Sequence, residues 1–93
     1  MRERILTLHP DGKQGVNISK QKYDAIRQAI LSTIDDKQEI LFQELPAEVE
    51  RWLDGDFDGS ISWYVTTIKL DLEARGLIQR VPKSSPQRLR LAS

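Results

Sequence analysis

The sequence predicts one mainly α-helical domain of the α+β class, in which three helices precede a small β-hairpin. Apolar residues recur every three or four positions in three separate stretches, which is typical of helices with one buried face. Near the C-terminus, polar and apolar residues alternate on both sides of a Pro-Lys-Ser-Ser-Pro segment, which indicates two strands joined by a turn. Because 93 residues suffice for one core but not for two, residues 1–93 are expected to form a single domain.

The first 18 residues are predicted to form an N-terminal arm, and residues 20–91 the helices and the hairpin. Residues 7–17 are rich in Pro, Gly and Asp and show no periodicity, which indicates irregular backbone that packs across the domain. The first helix is predicted over residues 20–34, with Ser19 as its N-cap. Its core-facing positions are Tyr23, Ile26, Ile30 and Ile34.

The second helix is predicted to be short and to begin near Gln43, because Pro46 is tolerated only in a first turn. Its apolar positions are Phe42, Leu45, Val49 and Leu53. Just before it, Ile40 and Leu41 are expected to form a brief strand that pairs with the later hairpin.

The third helix is the most regular stretch of the sequence. Ser60 or Ser62 caps it, and Gly76 suits the left-handed conformation that ends many helices. Its core-facing positions are Ile61, Val65, Ile68 and Leu72. The hairpin follows over residues 77–81 and 87–91, with Leu89 and Leu91 on one face and Arg88 and Arg90 on the other.

The third helix and the strand after it resemble those of winged helix-turn-helix proteins. Val65, Ile68 and Leu72 are followed by Gly-Leu-Ile at residues 76–78 and by Arg80, as in regulators of that class. The resemblance covers residues 20–91 and implies a DNA-binding, transcription-regulatory module. The whole chain also resembles a family of short uncharacterised bacterial proteins, and KYDAIRQAIL and WYVTTIKLDLEARGLI are the segments most similar to that family.

In winged helix regulators the third helix enters the major groove and the wing contacts the DNA backbone. By position, the resemblance nominates groove-facing candidates on the third helix, which are Ser62, Thr66, Thr67 and Lys69. On the wing it nominates phosphate contacts, which are Arg80, Lys83, Ser84, Ser85, Arg88 and Arg90. If the domain binds duplex DNA, we expect the wing bases to cluster beside the third helix.

An alternative function is a protein-interaction module with the same fold. A helical projection places Trp63, Thr67, Leu70 and Ala74 together, opposite the core-facing positions. A groove-reading helix should offer Arg, Lys, Asn or Gln there, so Trp63 and Leu70 instead indicate a protein interface, a homodimer contact or packing under the arm.

The net charge is zero, but the charges are unevenly distributed along the chain. Residues 1–34 hold six bases and three acids (+3), residues 35–58 two bases and nine acids (−7), and residues 59–93 six bases and two acids (+4). Such blocks favour a polarised surface, with a basic C-terminal third that could face an anionic partner.

The sequence favours a binding protein over an enzyme, with no cofactor and no small-molecule substrate. The chain has no cysteine, and its single histidine, His9, has no evident catalytic partner. Asp54, Asp56 and Asp58 begin like a calcium loop, but the position of the completing glutamate is Val65, which is needed in the core. No metal site is therefore expected. The chain has no apolar run of membrane-spanning length and no signal-peptide pattern, so we expect a cytoplasmic protein without membrane contact.

Overall fold

Three helices surround the core, as the apolar spacing predicts. The computed structural model describes residues 3–92, so residues 1, 2 and 93 of the predicted domain lie outside the described residues. Helix α1 spans Lys20–Lys37, α2 spans Leu45–Leu53 and α3 spans Ile61–Ala74. The hydroxyl groups of Ser19 and Ser60 cap α1 and α3, each accepting a hydrogen bond from the backbone N–H three residues later.

The apolar faces of the helices meet in one core. All the positions predicted to face it on α1 and α3 are buried except Ile61, which is partly buried and packs against the core. The buried apolar residues are Ile18, Tyr23, Ile26, Ala29, Ile30, Ile34, Ile40, Leu45, Val49, Val65, Ile68, Leu72, Ile78 and Leu89. The α+β class predicted from the sequence is thus confirmed.

Two helix ends differ from the prediction. Helix α1 continues past Ile34 to Lys37 because the exposed polar residues that follow still fit a helical turn, and it ends where Gln38 takes a φ of 69°. Before α2, residues Phe42–Glu44 form a 3₁₀ turn, and the regular helix begins at Leu45. Pro46 in the first turn of α2 has no N–H to donate, so it is compatible with this start.

The N-terminal arm is more regular than the sequence indicates. Strand β1 (Arg4–Leu6) pairs antiparallel with strand β2 (Asn17–Ser19), and Ile5 lies opposite Ile18. Each strand has three residues, and the segment between them is rich in Pro, Gly and Asp, so the sequence indicated irregular backbone instead of a strand pair. The irregular backbone is confined to residues 7–16, which we call the arm loop.

The arm loop is closed by a tight contact between Thr7 and Gly15. The backbone N–H of Thr7 donates to the Val16 carbonyl at 2.9 Å, and the Val16 N–H donates to the Thr7 hydroxyl at 2.9 Å. A Cβ atom on Gly15 would lie 1.7 Å from the Thr7 carbonyl oxygen. Residue 15 must therefore be glycine for the loop to keep this closure.

A second sheet packs against the helices. Strands β3 (Glu39–Leu41), β4 (Ile78–Arg80) and β5 (Arg88–Leu91) form an antiparallel sheet in the order β3-β5-β4. The brief strand predicted at Ile40 and Leu41 is therefore present and pairs with the hairpin as expected. Leu89 is fully buried on the helix-facing side, whereas Arg88 is exposed. Within residues 3–92, no helix has both the length and the hydropathy needed to cross a bilayer.

Candidate functional site

The arm loop packs on the side of α3 opposite the core, which we call the outward side of α3. The backbone N–H of Leu8 donates to Oδ1 of Asp71 at 2.8 Å and ties the loop to the helix. The arm loop and α3 form the walls of an open crevice of about 180 Å³. Its lining residues are Thr7, Leu8, His9, Gln14, Gly15, Val16, Trp63, Thr67 and Leu70. The arm thus lies on the outward side of α3, for which the sequence left two alternatives open, packing of the arm and self-association.

Asp71 holds the arm, α1 and α3 together. Its side chain is fully buried and accepts hydrogen bonds from the Tyr23 hydroxyl, from Nε of Arg75 at 2.9 Å and from the Leu8 N–H. Burial, followed by the hydrogen bond with Asp71, raises the pKa of Tyr23 to about 12. The same carboxylate raises the pKa of Arg75 through its hydrogen bond. Sequence reasoning missed this group, although the spacing of four residues between Asp71 and Arg75 was a local signal for an ion pair.

Exposed apolar side chains surround the crevice. Trp63 is 45% exposed, Leu8 44% and Val16 38%, while Leu70 is partly buried beside them. We call these four residues the arm–helix surface. No Asp, Glu, Lys or Arg lines the crevice. Ser62 and Thr66, on the same helix as Trp63, are also exposed. Their hydroxyl groups add neutral polar groups to the apolar arm–helix surface.

The prediction that Lys69 faces a DNA groove is wrong. Lys69 is only 2% exposed, and its Nζ lies 2.7 Å from Oε1 of Glu73 and 4.7 Å from the centre of the Phe42 ring. Burial lowers the pKa of Lys69, and the hydrogen bond with Glu73 partly opposes this effect. The ammonium group is therefore an internal partner of Glu73 and is not accessible to a phosphate or a base edge.

The other groove candidates offer hydroxyl groups only. Ser62 and Thr66 are exposed, whereas Thr67 is partly buried and lines the crevice under the arm loop. Bidentate recognition of a base normally uses Arg, Lys, Asn or Gln. Along α3, the outward side presents none of these residues.

The wing bases do not form one patch beside α3. Arg80 lies opposite the buried Leu89 in the strand register, on the helix-facing side of the sheet, and its Nε is 3.4 Å from Oε1 of Glu73. Arg88 and Arg90 project from the other side of the sheet. The grouping of Arg80 with Arg88 and Arg90 is therefore wrong, because the alternation of a strand places residues 80 and 88 on opposite faces in this register.

The turn between α2 and α3 is acidic but is not arranged as a metal site. Asp54 ends α2 in the left-handed conformation, with φ 51° and ψ 44°. Among residues 3–92, no three His, Asp or Glu side chains lie in a group that could hold a metal ion. Val65, at the position of the missing calcium ligand, is fully buried as the sequence indicates.

A second recess lies between the arm strands and the acidic turn. It has a volume of about 710 Å³, and its walls place Arg4 and Lys22 together with Asp56 and Asp58. The Lys22 Nζ lies 5.5 Å from the centre of the Tyr64 ring, so an internal ammonium already occupies the aromatic face. The mixed charges favour neither an anionic nor a cationic ligand.

Comparison with known proteins places the chain in a family without an assigned function. Residues 4–89 match the model of a family of unknown function, DUF6958, and the chain belongs to that family. The searches of curated proteins and of solved structures give no match.

Proposed function

We propose that the chain is a winged-helix module that binds protein through the arm–helix surface. The order of elements supports the winged-helix assignment: α1, β3, α2 and α3 are followed by a hairpin whose strand β5 lies between β3 and β4. The segment between β4 and β5, residues 81–87, then corresponds to the wing.

The observation that supports protein binding is the exposed apolar centre around the crevice. A tryptophan that is 45% exposed stands beside exposed Leu8 and Val16, and no charged side chain interrupts them. The centres of protein interfaces are depleted in charged residues and enriched in aromatic residues. Tryptophan is also among the residues that contribute most to binding energy when a partner buries it.

The same region disfavours base reading by α3. In DNA-binding winged helices the outward side of the third helix enters the major groove. Here the arm loop occupies part of that side, through the Leu8–Asp71 hydrogen bond, and Lys69 is buried. A protein partner could use the arm and the helix together without displacing either.

Site-specific photo-crosslinking in cells that express the chain tests this proposal. A photoreactive phenylalanine analogue at position 66, on the exposed part of α3, should give defined protein adducts. The same analogue at Lys37, at the end of α1, is the matched control and should give none. Trp63→Ala should abolish the adducts at position 66. Equal labelling at both positions, or adducts that persist in Trp63→Ala, would contradict the proposal.

Binding to the DNA backbone through the wing is a second candidate function. Lys83 and Arg88 are exposed, and among residues 3–92 neither forms an ion pair. Such bases would give weak, sequence-independent binding that decreases as salt rises.

Binding of random-sequence duplex DNA at low and at moderate salt tests this second candidate. The wild type should bind at low salt, and a variant with Lys83, Arg88 and Arg90 changed to Ala should not. Lys37→Ala, an exposed lysine on α1, controls for loss of any single positive charge. Absence of binding at low salt would exclude the wing as a DNA contact.

A further inference from the structure

We infer that the partner bound by the arm–helix surface is a second copy of the chain, so that the protein forms a two-fold symmetric dimer. This inference rests on the proposed protein-binding function and names its partner. In a two-fold dimer the same patch serves both copies, so it must be complementary to itself. A patch that combines an exposed apolar side chain with a neighbouring recess can meet this requirement.

The arm–helix surface contains both features. Trp63 lines the crevice and is 45% exposed, and the crevice itself has a volume of about 180 Å³. A cavity of about 150 Å³ with apolar walls is large enough to hold a benzene ring. The crevice is slightly larger than that and is open on one side, so it has room for part of an aromatic side chain, and a two-fold axis beside it would direct the Trp63 side chain of each copy towards the crevice of the other.

Charge also favours a second copy. The net charge of the chain is zero, so two copies do not repel each other as a whole. The crevice has no charged lining residue, so two identical centres can meet without like charges in contact. At the tip of the arm loop, Asp11 and Lys13 are both exposed, and neither forms an ion pair within residues 3–92. If the same two-fold axis passes between the loop tips, it would place Asp11 of each copy near Lys13 of the other and would pair opposite charges twice.

Sedimentation velocity of the intact protein over a range of concentrations is the first measurement. The expected result is a reversible dimer with twice the 10.7 kDa mass of the chain. Trp63→Ala should weaken dimerisation at least a hundredfold, because each dimer loses two buried indole rings. Trp52→Ala is the matched control: Trp52 is 55% exposed on α2, outside the surface, and its loss should leave the dimer unchanged.

Exchanging the charges at positions 11 and 13 distinguishes a direct contact between the two copies from an effect of the substitutions on the fold. Asp11→Lys alone should weaken dimerisation about tenfold, because it places like charges together twice in each dimer. The double variant Asp11→Lys/Lys13→Asp should restore the wild-type dissociation constant, since the pairs re-form with exchanged signs. Circular dichroism on each variant confirms that the helices are retained.

The outcomes distinguish this inference from the function on which it rests. A monomer at every concentration, combined with crosslinks from position 66 to a different protein, overturns the second-copy inference and leaves the proposed function in place. A dimer that Trp63→Ala leaves intact, or a charge exchange that fails to restore association, also overturns the inference. Loss of the position 66 crosslinks together with a monomer overturns both.

Discussion

Removal of the Asp71 carboxylate should destabilise the protein strongly, because three elements share it. Asp71→Ala leaves the Tyr23 hydroxyl and the Leu8 N–H without their acceptor. An unsatisfied buried donor costs about 1–3 kcal/mol. Tyr23 is 4% exposed and should be near the middle of that range, whereas the Leu8 N–H is only partly buried and should be at its lower end.

The expected loss of unfolding free energy is therefore about 3 kcal/mol for Asp71→Ala. The ion pair with Arg75 adds little, because the Arg75 side chain is 34% exposed and water compensates for the lost partner. In a domain of this size a loss of 3 kcal/mol corresponds to a decrease in Tm of about 12–24 °C. Asp71→Asn keeps one acceptor oxygen and should lose about half as much.

Urea denaturation followed by circular dichroism measures this loss, with Glu50→Ala at an exposed position of α2 as the control. The control should change the unfolding free energy by less than about 0.5 kcal/mol. Hydrogen exchange should also show that the Leu8 amide is protected in the wild type and is exposed in Asp71→Ala. A loss below about 1 kcal/mol for Asp71→Ala would refute the reasoning, since an unsatisfied buried donor alone exceeds that value.

Three further predictions concern the arm loop, the buried ion pair and the pH dependence. Gly15→Ala should displace the arm loop, because its Cβ would meet the Thr7 carbonyl, and hydrogen exchange over residues 4–19 should become faster. Gly12→Ala is the control: there is open space around its Cβ, so the unfolding free energy should fall by only about 1 kcal/mol, the cost of its positive φ. Lys69→Met should destabilise by about 3 kcal/mol because it leaves Glu73 buried without its main partner, while Lys69→Met/Glu73→Leu should recover most of that loss in thermal denaturation. Folding raises the pKa of Tyr23 from 10.0 to about 12, so the unfolding free energy should fall as pH rises from 10 to 12, and Tyr23→Phe should remove that part of the decrease in urea titrations at each pH.

The helices and the three-stranded sheet could be predicted from the sequence because burial imposes a period on the residues that form them. Tyr23, Ile26 and Ile30 repeat at the spacing of a helix, and Leu89 alternates with Arg88 and Arg90. Strands β1 and β2 lie on either side of a stretch that is rich in Pro, Gly and Asp and has no periodicity, so the sequence predicted an irregular arm there and these strands were not predicted. The period thus identifies the helices and the hairpin and misses the pairing of β1 with β2 that organises the arm.

The environment of single side chains was harder to predict. The period gives the angle of a residue around its own helix but not the neighbouring elements that cover it. Around the axis of α3, Lys69 is rotated by about 100° from the buried Ile68, so a helical projection predicts that it is exposed. In the structure, Phe42 and Glu73 enclose it. Arg80 similarly depends on a strand register that sets it opposite Leu89, and no local pattern specifies that register.

The position of the arm is what separates the two functions that the sequence left open. Were α3 to enter a DNA groove, the arm loop would have to leave the helix, which would break the Leu8–Asp71 hydrogen bond and expose Leu70 to water. The Thr7–Gly15 closure makes the loop a compact unit, so it would move as a whole and lose all of its contacts with α3. Protein binding needs no such rearrangement, because the arm supplies Leu8 and Val16 to the apolar surface and α3 supplies Trp63 and Leu70. The energetic difference between these two routes favours a protein partner on this side of the molecule and leaves DNA, if it binds, to the wing.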